Sequence, residues 1–106
     1  MKLVNTAIIA TTLMITAAPS LAGEAVAGMS TFNGKGCIGC HGAGGGRPVT
    51  TTPPTPKLAG KDAAFIKKQL IDFKSGARKN ATMNAMAAML NDAEVDNVAT
   101  YLSTQK

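Results

Sequence analysis

The segment Cys37-Ile38-Gly39-Cys40-His41, CIGCH in one-letter code, contains the only two cysteines and the only histidine of this 106-residue chain. A structural disulfide would leave the adjacent histidine without a role. A thioredoxin-like redox pair would need a βαβ context, and the surrounding sequence offers no strands. A zinc site would need a fourth ligand and usually a second Cys/His pair, which is absent from the sequence. These three interpretations therefore fit the segment poorly.

Covalent attachment of a c-type haem fits it better, because CxxCH is the attachment signature of that cofactor. A tight turn lets two thiols three positions apart reach the two vinyl groups of one porphyrin, and the next imidazole binds the iron. We predict thioether bonds from Cys37 and Cys40 and proximal ligation by His41. One haem c would also add apolar bulk to a small chain with three Phe, one Tyr and no Trp.

The rest of the chain predicts an all-α domain with long loops. Residues 24–35 can form a short helix with Ala27 and Phe32 among its apolar positions, and residues 61–75 a second one that stops at Gly76. A last helix is capped by Asn91 or Asp92. The apolar positions of the two later helices recur at helical spacing: Phe65, Ile66, Leu70 and Phe73, then Val95, Val98, Ala99 and Leu102. Residues 36–56 and the "GARKNAT" segment, residues 76–82, are predicted loops.

The first 22 residues have the pattern of a cleaved signal peptide. Lys2 precedes an uncharged, mostly apolar run over residues 3–18, and "PSLA" supplies small residues before a cut after Ala22. A cut after Ala27 is a less favoured alternative. A membrane anchor is disfavoured because the strongest apolar part, residues 7–18, is shorter than the roughly 20 residues of a span. We therefore expect a periplasmic domain of residues 23–106, without stable membrane insertion after cleavage.

The charge of the chain is mildly basic, with a formal net charge of +5. Without Lys2, ten basic and six acidic side chains remain, a net +4. This balance favours transient redox partners with acidic docking surfaces and falls short of a nucleic-acid-binding footprint. The basic run of residues 67–79 is predicted to be a solvated helix face and loop, with a docking patch as the alternative: Lys67, Lys68, Lys74, Arg78 and Lys79.

The distal iron ligand must come from a methionine, a lysine or an amine terminus, or the position stays open. Met83, Met86 and Met89 recur every third residue in "TMNAMAAML". On a helix these three sweep about 120°, so only one sulfur can face the iron. We predict Met83, which follows the predicted loop, with the other two as packing. Met86 as the ligand, packing by all three, and a Cu(I) thioether site remain alternatives.

Four landmarks in order resemble the class I cytochromes c, over essentially all of residues 23–106. They are "CIGCHG", "PKLAG" at residues 56–60, "QLIDFKSGARKN" at 69–80 and "LNDAEVDNVATYL" at 90–102. The match is particularly similar to one half of the bacterial dihaem cytochromes and to the haem subunit of flavocytochrome c sulfide dehydrogenases. It implies an all-α class I fold with three to four helices and long loops around one covalent haem. The family's spacing, seven residues before Leu90, also indicates Met83.

The resemblance implies roles for further residues. The Pro56 carbonyl would accept a hydrogen bond from the His41 imidazole, and Leu58 would pack on the haem. The first and last helices would cross near Gly28, Phe32 and Tyr101.

The implied function is electron transfer in the periplasm, with His/Met-ligated iron cycling between Fe(III) and Fe(II), and without enzymatic activity. The alternatives are the haem subunit of a flavocytochrome c-type, sulfide-oxidising complex, with a flavoprotein as partner, and a sensor or peroxidase-like protein with an open iron site.

Overall fold

The computed structural model describes residues 21–49 and 55–106, which form five α-helices and one 3₁₀ turn, with no strand among them. The helices are α1 (Leu21–Gly34), α2 (Cys37–His41), α3 (Ala63–Ser75), α4 (Ala81–Ala88) and α5 (Asp92–Ser103), and the 3₁₀ turn is Ala43–Gly45. The all-α fold is as predicted, with short helices beyond the three to four expected. Residues 1–20 of the predicted signal peptide lie outside the described residues.

Helices α1 and α5 cross in close backbone contact. A Cβ added to Gly28 would come within 2.0 Å of the Asn97 carbonyl oxygen, so only glycine permits this approach. Next to it, the rings of Phe32 and Tyr101 meet edge to face with centroids 5.7 Å apart. The expected crossing at these residues is confirmed. Ala27, however, is exposed, because Gly28 and Phe32 define the inner face of α1.

The apolar core lies where α1, α3 and α5 meet. All four predicted positions of α5 are buried, and they pack with Ile66 and Leu70 of α3. Phe32 and Leu102 are the largest side chains that are almost completely buried. Each contributes about 1.5–3 kcal/mol of burial free energy. Phe65 differs from the prediction, since it is 49% exposed on the outer face of α3.

Side-chain caps define where the longer helices begin. The Asp62 carboxylate accepts a hydrogen bond from the Ala64 N–H at the start of α3, and α3 ends at Gly76 as predicted. At α5 the cap is Asn91 rather than Asp92. Its side chain accepts from the Glu94 N–H (2.8 Å), and the Glu94 carboxylate accepts from the Asn91 N–H (3.1 Å). This reciprocal capping box fixes the first turn of α5.

Two segments predicted as loops contain helices. Within residues 36–56, α2 forms between Gly36 and Gly42 and includes Gly39. Gly42 has a φ of 78°, and a Cβ there would lie 1.9 Å from the Arg47 carbonyl oxygen, so the chain reverses sharply after α2. Within "GARKNAT", α4 begins at Ala81, since the Asn80 side chain caps it.

Candidate haem site

The imidazole of His41 is held in a buried position at the end of α2. Only 6% of the residue is exposed, and its Nδ1–H donates to the Pro56 carbonyl oxygen at 2.9 Å. With Nδ1 engaged in this way, Nε2 is the ring nitrogen left to bind a metal. A backbone carbonyl in this position fixes the ring orientation and increases its strength as a ligand. The hydrogen bond implied by the resemblance is present.

Cys37 and Cys40 are free thiols on the same short helix, one turn apart. Residues three apart on a helix lie on the same side, which suits two bonds to one flat group. Cys37 is half-buried and Cys40 is exposed. Burial raises the pKa of the Cys37 thiol, and the nearby Cys40 raises it further, against a lowering hydrogen bond from the backbone. The chemistry of this donor set, two thiols and an imidazole, fits covalent haem c.

The segment around Pro56 is tied to the helical frame by backbone hydrogen bonds. The N–H groups of Leu58 and Ala59 both donate to the Gly45 carbonyl, at 2.8 and 3.1 Å, and the Gly60 N–H donates to the Leu102 carbonyl at 2.9 Å. Residues 56–60 thus form a strap that is anchored on the 3₁₀ turn and on α5. This strap holds the Pro56 carbonyl against His41. Leu58, the predicted pocket residue, is half-buried against the core.

Met83 lies in the first turn of α4, and not at the end of a flexible loop as predicted. Its N–H donates to the Asn80 side-chain oxygen at 2.9 Å, which places it early in a capped helix. Its side chain is half-buried against the same core cluster that Cys37 and Leu58 contact. The structure thus brings the attachment helix, the pocket residue and the predicted distal ligand to one apolar cluster.

The other two methionines of the stretch differ from each other. Met86 is half-buried, and its methyl group lies 3.9 Å from where a Cβ of Gly36 would be, at the entrance to α2. Met89 is 50% exposed, so its predicted role as packing is wrong. It follows the last residue of α4, where the chain turns and Leu90 enters the core in its place.

Two asparagines near Met83 were missed as site residues. Asn80 caps α4, and Asn84 hydrogen-bonds to three backbone groups around the loop before it. The local sequence "NATMN" carries part of the signal, because Asn is a favoured cap three residues before a helical N–H. The partners of Asn84 lie up to 11 residues away and depend on how α3 and α4 pack.

The basic run is largely engaged by its own domain. Lys67 pairs with Asp96 of α5 at 2.7 Å, and Lys68 pairs with Asp72 at 2.6 Å. The hydrogen bond to Asp96 raises the pKa of Lys67. The Lys74 ammonium donates to the Leu90 carbonyl, and the Arg78 guanidinium lies 4.7 Å from the centre of the Phe73 ring. A docking patch for an acidic partner would have to use positive charge that these intramolecular contacts do not neutralise.

Comparison with known proteins agrees with this geometry. The family model described as cytochrome c matches residues 25–106. The chain belongs to the cytochrome c family. It is 45% identical over 89 residues to cytochrome c4 of Thiocapsa roseopersicina, covering 84% of this chain and 43% of that protein. It is 46% identical over 71 residues to a thiosulfate dehydrogenase electron acceptor of Thiomonas intermedia, covering 66% of this chain and 31% of that protein.

A solved structure supports the same fold. The crystal structure of reduced recombinant cytochrome c4 from Pseudomonas stutzeri matches with a TM-score of 0.72 and 30% identity, over 80% of this chain and 50% of that chain. The chain thus spans half of this solved chain and less than half of the two relatives above. The similarity to one half of a dihaem-type cytochrome is confirmed. The cofactor of the family is a covalently bound haem c, and this chain carries its CxxCH motif.

No helix in residues 21–49 and 55–106 combines the length and apolar character needed to cross a membrane.

Proposed function

We propose that this chain is a periplasmic electron carrier with one haem c. When bound, the haem supplies an iron that gains and loses one electron. Cys37 and Cys40 attach it, His41 is the proximal ligand, Met83 is the distal ligand, and Pro56 and Leu58 line the pocket. With His41 and Met83 as ligands, the iron would have no open position for a substrate, so the chain would carry electrons without catalysing a reaction.

The observation that carries the proposal is the hydrogen bond from His41 Nδ1 to the Pro56 carbonyl, 2.9 Å long. A buried imidazole oriented through Nδ1, directly after two free thiols, is built to present Nε2 to an iron whose porphyrin is covalently fixed beside it. Met83 supports the distal position, because it contacts the same apolar cluster as Cys37 and Leu58. A thioether ligand favours a raised reduction potential, as electron carriers of this type use.

An absorption spectrum of the oxidised haem protein tests the ligand set. We expect the weak long-wavelength band that a thioether ligand gives to ferric haem. The Met83→Ala variant should lose this band, while Met86→Ala and the exposed control Met89→Ala should retain it. Loss of the band in Met86→Ala alone would transfer the ligand role to Met86. A wild-type spectrum of high-spin iron that changes on adding carbon monoxide or peroxide would indicate an open-site sensor or peroxidase-like protein instead.

Export is tested by the N-terminus of the mature protein. We propose that residues 1–22 are a signal peptide and that the periplasmic form begins at Gly23. Mass spectrometry of the haem protein from a periplasmic extract should give the mass of residues 23–106 plus one haem. A cytoplasmic product that retains Met1 would contradict the proposal, and a product beginning at Gly28 would move the cut to Ala27.

One of the relatives indicates a specific class of electron donor. The similarity to a thiosulfate dehydrogenase electron acceptor favours a sulfur-oxyanion-oxidising enzyme as donor over the flavoprotein of a sulfide-oxidising complex. Stopped-flow mixing with a purified thiosulfate dehydrogenase and thiosulfate should reduce the haem rapidly, and more slowly at high salt if acidic docking surfaces steer the encounter. Reduction only by a flavoprotein that co-purifies with the chain would favour the alternative of a complex subunit.

A further inference from the structure

Helix α4, which carries Met83, is attached to the rest of the polypeptide by a small apolar contact and by a set of hydrogen bonds. Ala87 is its only fully buried residue in the described structure, and Met83 and Met86 are half-buried. By contrast, α5 buries five residues over its twelve. Because the polypeptide itself buries little apolar surface of α4, other protein contacts contribute to the position of this helix. These contacts are hydrogen bonds to α3 and to the loop between the two helices.

Asn84 makes most of these hydrogen bonds. Its side-chain N–H₂ donates to the Phe73 carbonyl at 2.7 Å and to the Arg78 carbonyl at 2.9 Å, and its side-chain oxygen accepts from the Asn80 N–H at 2.9 Å. The amide thus connects the last turn of α3, the loop and the cap of α4. Beyond the other end of α4, the Lys74 ammonium donates to the Leu90 carbonyl, so α3 also contacts the chain that follows α4.

Asn84 directly follows Met83 in the chain, so the hydrogen bonds of Asn84 also restrain the backbone of Met83. Asn80, which accepts the Met83 N–H, is itself held by the side chain of Asn84. Asn84 donates to the Arg78 carbonyl, and the guanidinium of Arg78 packs on the Phe73 ring. The backbone on both sides of Met83 is therefore fixed against α3 through one amide side chain.

We propose that Asn84 is a positioning residue for the distal methionine. Resting on the proposed ligation by Met83, it keeps the first turn of α4 in the place where the thioether reaches the iron. Asn84 touches neither iron nor porphyrin in this role. Removing the Asn84 side chain lowers the free energy needed to displace the Met83 thioether from the iron. The haem stays attached through Cys37, Cys40 and His41.

The test uses the holoprotein and imidazole as a competing ligand for ferric iron. Imidazole binds the iron only where the Met83 thioether is displaced. Its apparent dissociation constant therefore measures the free energy of displacing Met83. We expect Asn84→Ala to bind imidazole about tenfold more tightly than wild type, because the three side-chain hydrogen bonds of Asn84 are lost. The long-wavelength thioether band should weaken, and the reduction potential should fall. Hydrogen exchange of the Met83 N–H should accelerate by a similar factor.

Two further variants separate positioning from general loosening. Asn84→Asp keeps the size and the acceptor oxygen but turns a carboxylate oxygen towards the two carbonyls, so we expect an effect at least as large. It also serves if Asn84→Ala does not accumulate. Asn91→Ala removes a side-chain cap on α5 instead. It should lower the urea midpoint without changing the imidazole constant.

The outcomes distinguish this proposal from the ligand assignment. If Met83→Ala loses the band but both Asn84 variants keep the wild-type imidazole constant and Met83 exchange rate, Met83 is the ligand and the positioning role is wrong. If Asn91→Ala tightens imidazole binding as much as Asn84→Ala, the effect is general loosening and the proposal is also wrong. If Met83→Ala retains the band, the ligand assignment itself fails, and the role of Asn84 with it.

Discussion

The His41 segment and the Met83 segment present their residues to the same apolar cluster but are held in place by different forces. The His41 side adjoins the frame in which α1 and α5 cross, where Gly28 allows backbone contact and Phe32 is 1% exposed. The Met83 side rests on a helix with one fully buried residue and a network of amide hydrogen bonds. Helices α1 and α5 thus form a close-packed frame, and α4, which carries Met83, is docked onto the domain with less apolar burial by the polypeptide.

The difference has an energetic meaning. Closely packed apolar side chains resist displacement, because moving them opens a cavity or exposes area to water. A hydrogen bond at the surface contributes about 0.5–1.5 kcal/mol, because water replaces it. We therefore expect substitutions on the α1–α5 side to change the global free energy of unfolding. Substitutions around α4 should change local opening more than global stability.

The largest effect should come from Phe32→Ala. This side chain is almost fully buried and meets the Tyr101 ring edge to face. Truncation should lower the free energy of unfolding by about 3–5 kcal/mol. Urea unfolding of the holoprotein measures the loss. Phe65→Ala is the matched control, because that ring is half-exposed on α3 and should cost much less. Equal losses for the two variants would contradict the packing of α1 on α5.

Gly28→Ala should be the next most damaging change. Its Cβ would meet the Asn97 carbonyl at 2.0 Å, so the two helices would have to separate. We expect a loss of about 3 kcal/mol, measured by thermal or urea unfolding.

Gly34→Ala is the matched control on the same helix. Apart from its chain neighbours and the nearby backbone of its own helix, no heavy atom lies within 4 Å of its added Cβ. Alanine should therefore stabilise the helix by a few tenths to about 1 kcal/mol. If Gly28→Ala leaves the free energy of unfolding unchanged, the two helices have more space at this crossing than the structure shows.

Asn80→Ala examines the distal side. Loss of the cap should cost about 1 kcal/mol, because the Met83 N–H loses its acceptor. We expect hydrogen exchange of the first turn of α4 to accelerate, with little change at amides of α1 and α5. Asn91→Ala removes the equivalent cap from α5 and should instead lower protection across the core. Identical exchange patterns in the two variants would remove the distinction between frame and docked helix.

The smallest effect should come from Lys67→Gln, which breaks a surface ion pair with Asp96. The hydrogen bond to Asp96 raises the pKa of Lys67 in the folded chain, so this pair stabilises the fold fully below the unfolded pKa of lysine. The contribution is lost as the pH rises through the folded pKa. Thermal unfolding at low salt should show a small destabilisation that disappears at high salt. An unchanged difference at high salt would contradict an electrostatic origin.

Much of this protein could be predicted from local sequence alone. The CxxCH motif, the helical spacing of Val95 to Leu102 and the stop at Gly76 are local patterns, and the structure agrees with the last two. Predictions failed where flanking residues mattered more than composition. The glycines in and around Cys37–His41 predicted a loop, but Gly36 and Gly42 lie at the ends of a helix that contains Gly39. Asn80 likewise caps α4 inside a predicted loop. Periodicity also could not tell that Phe65 faces outward while Ile66 faces the core.

The sequence by itself therefore determined the all-α class, the haem attachment motif and most of the core positions, because these depend on residues within one or two helical turns. The tertiary structure decided which distant groups meet. His41 donates to the carbonyl of Pro56, 15 residues away, a contact that the family resemblance implied but no local pattern predicted. Asn84 donates to the carbonyl of Phe73, 11 residues away. Such contacts depend on how a strap and a helix pack on the frame, and no local spacing encodes that packing.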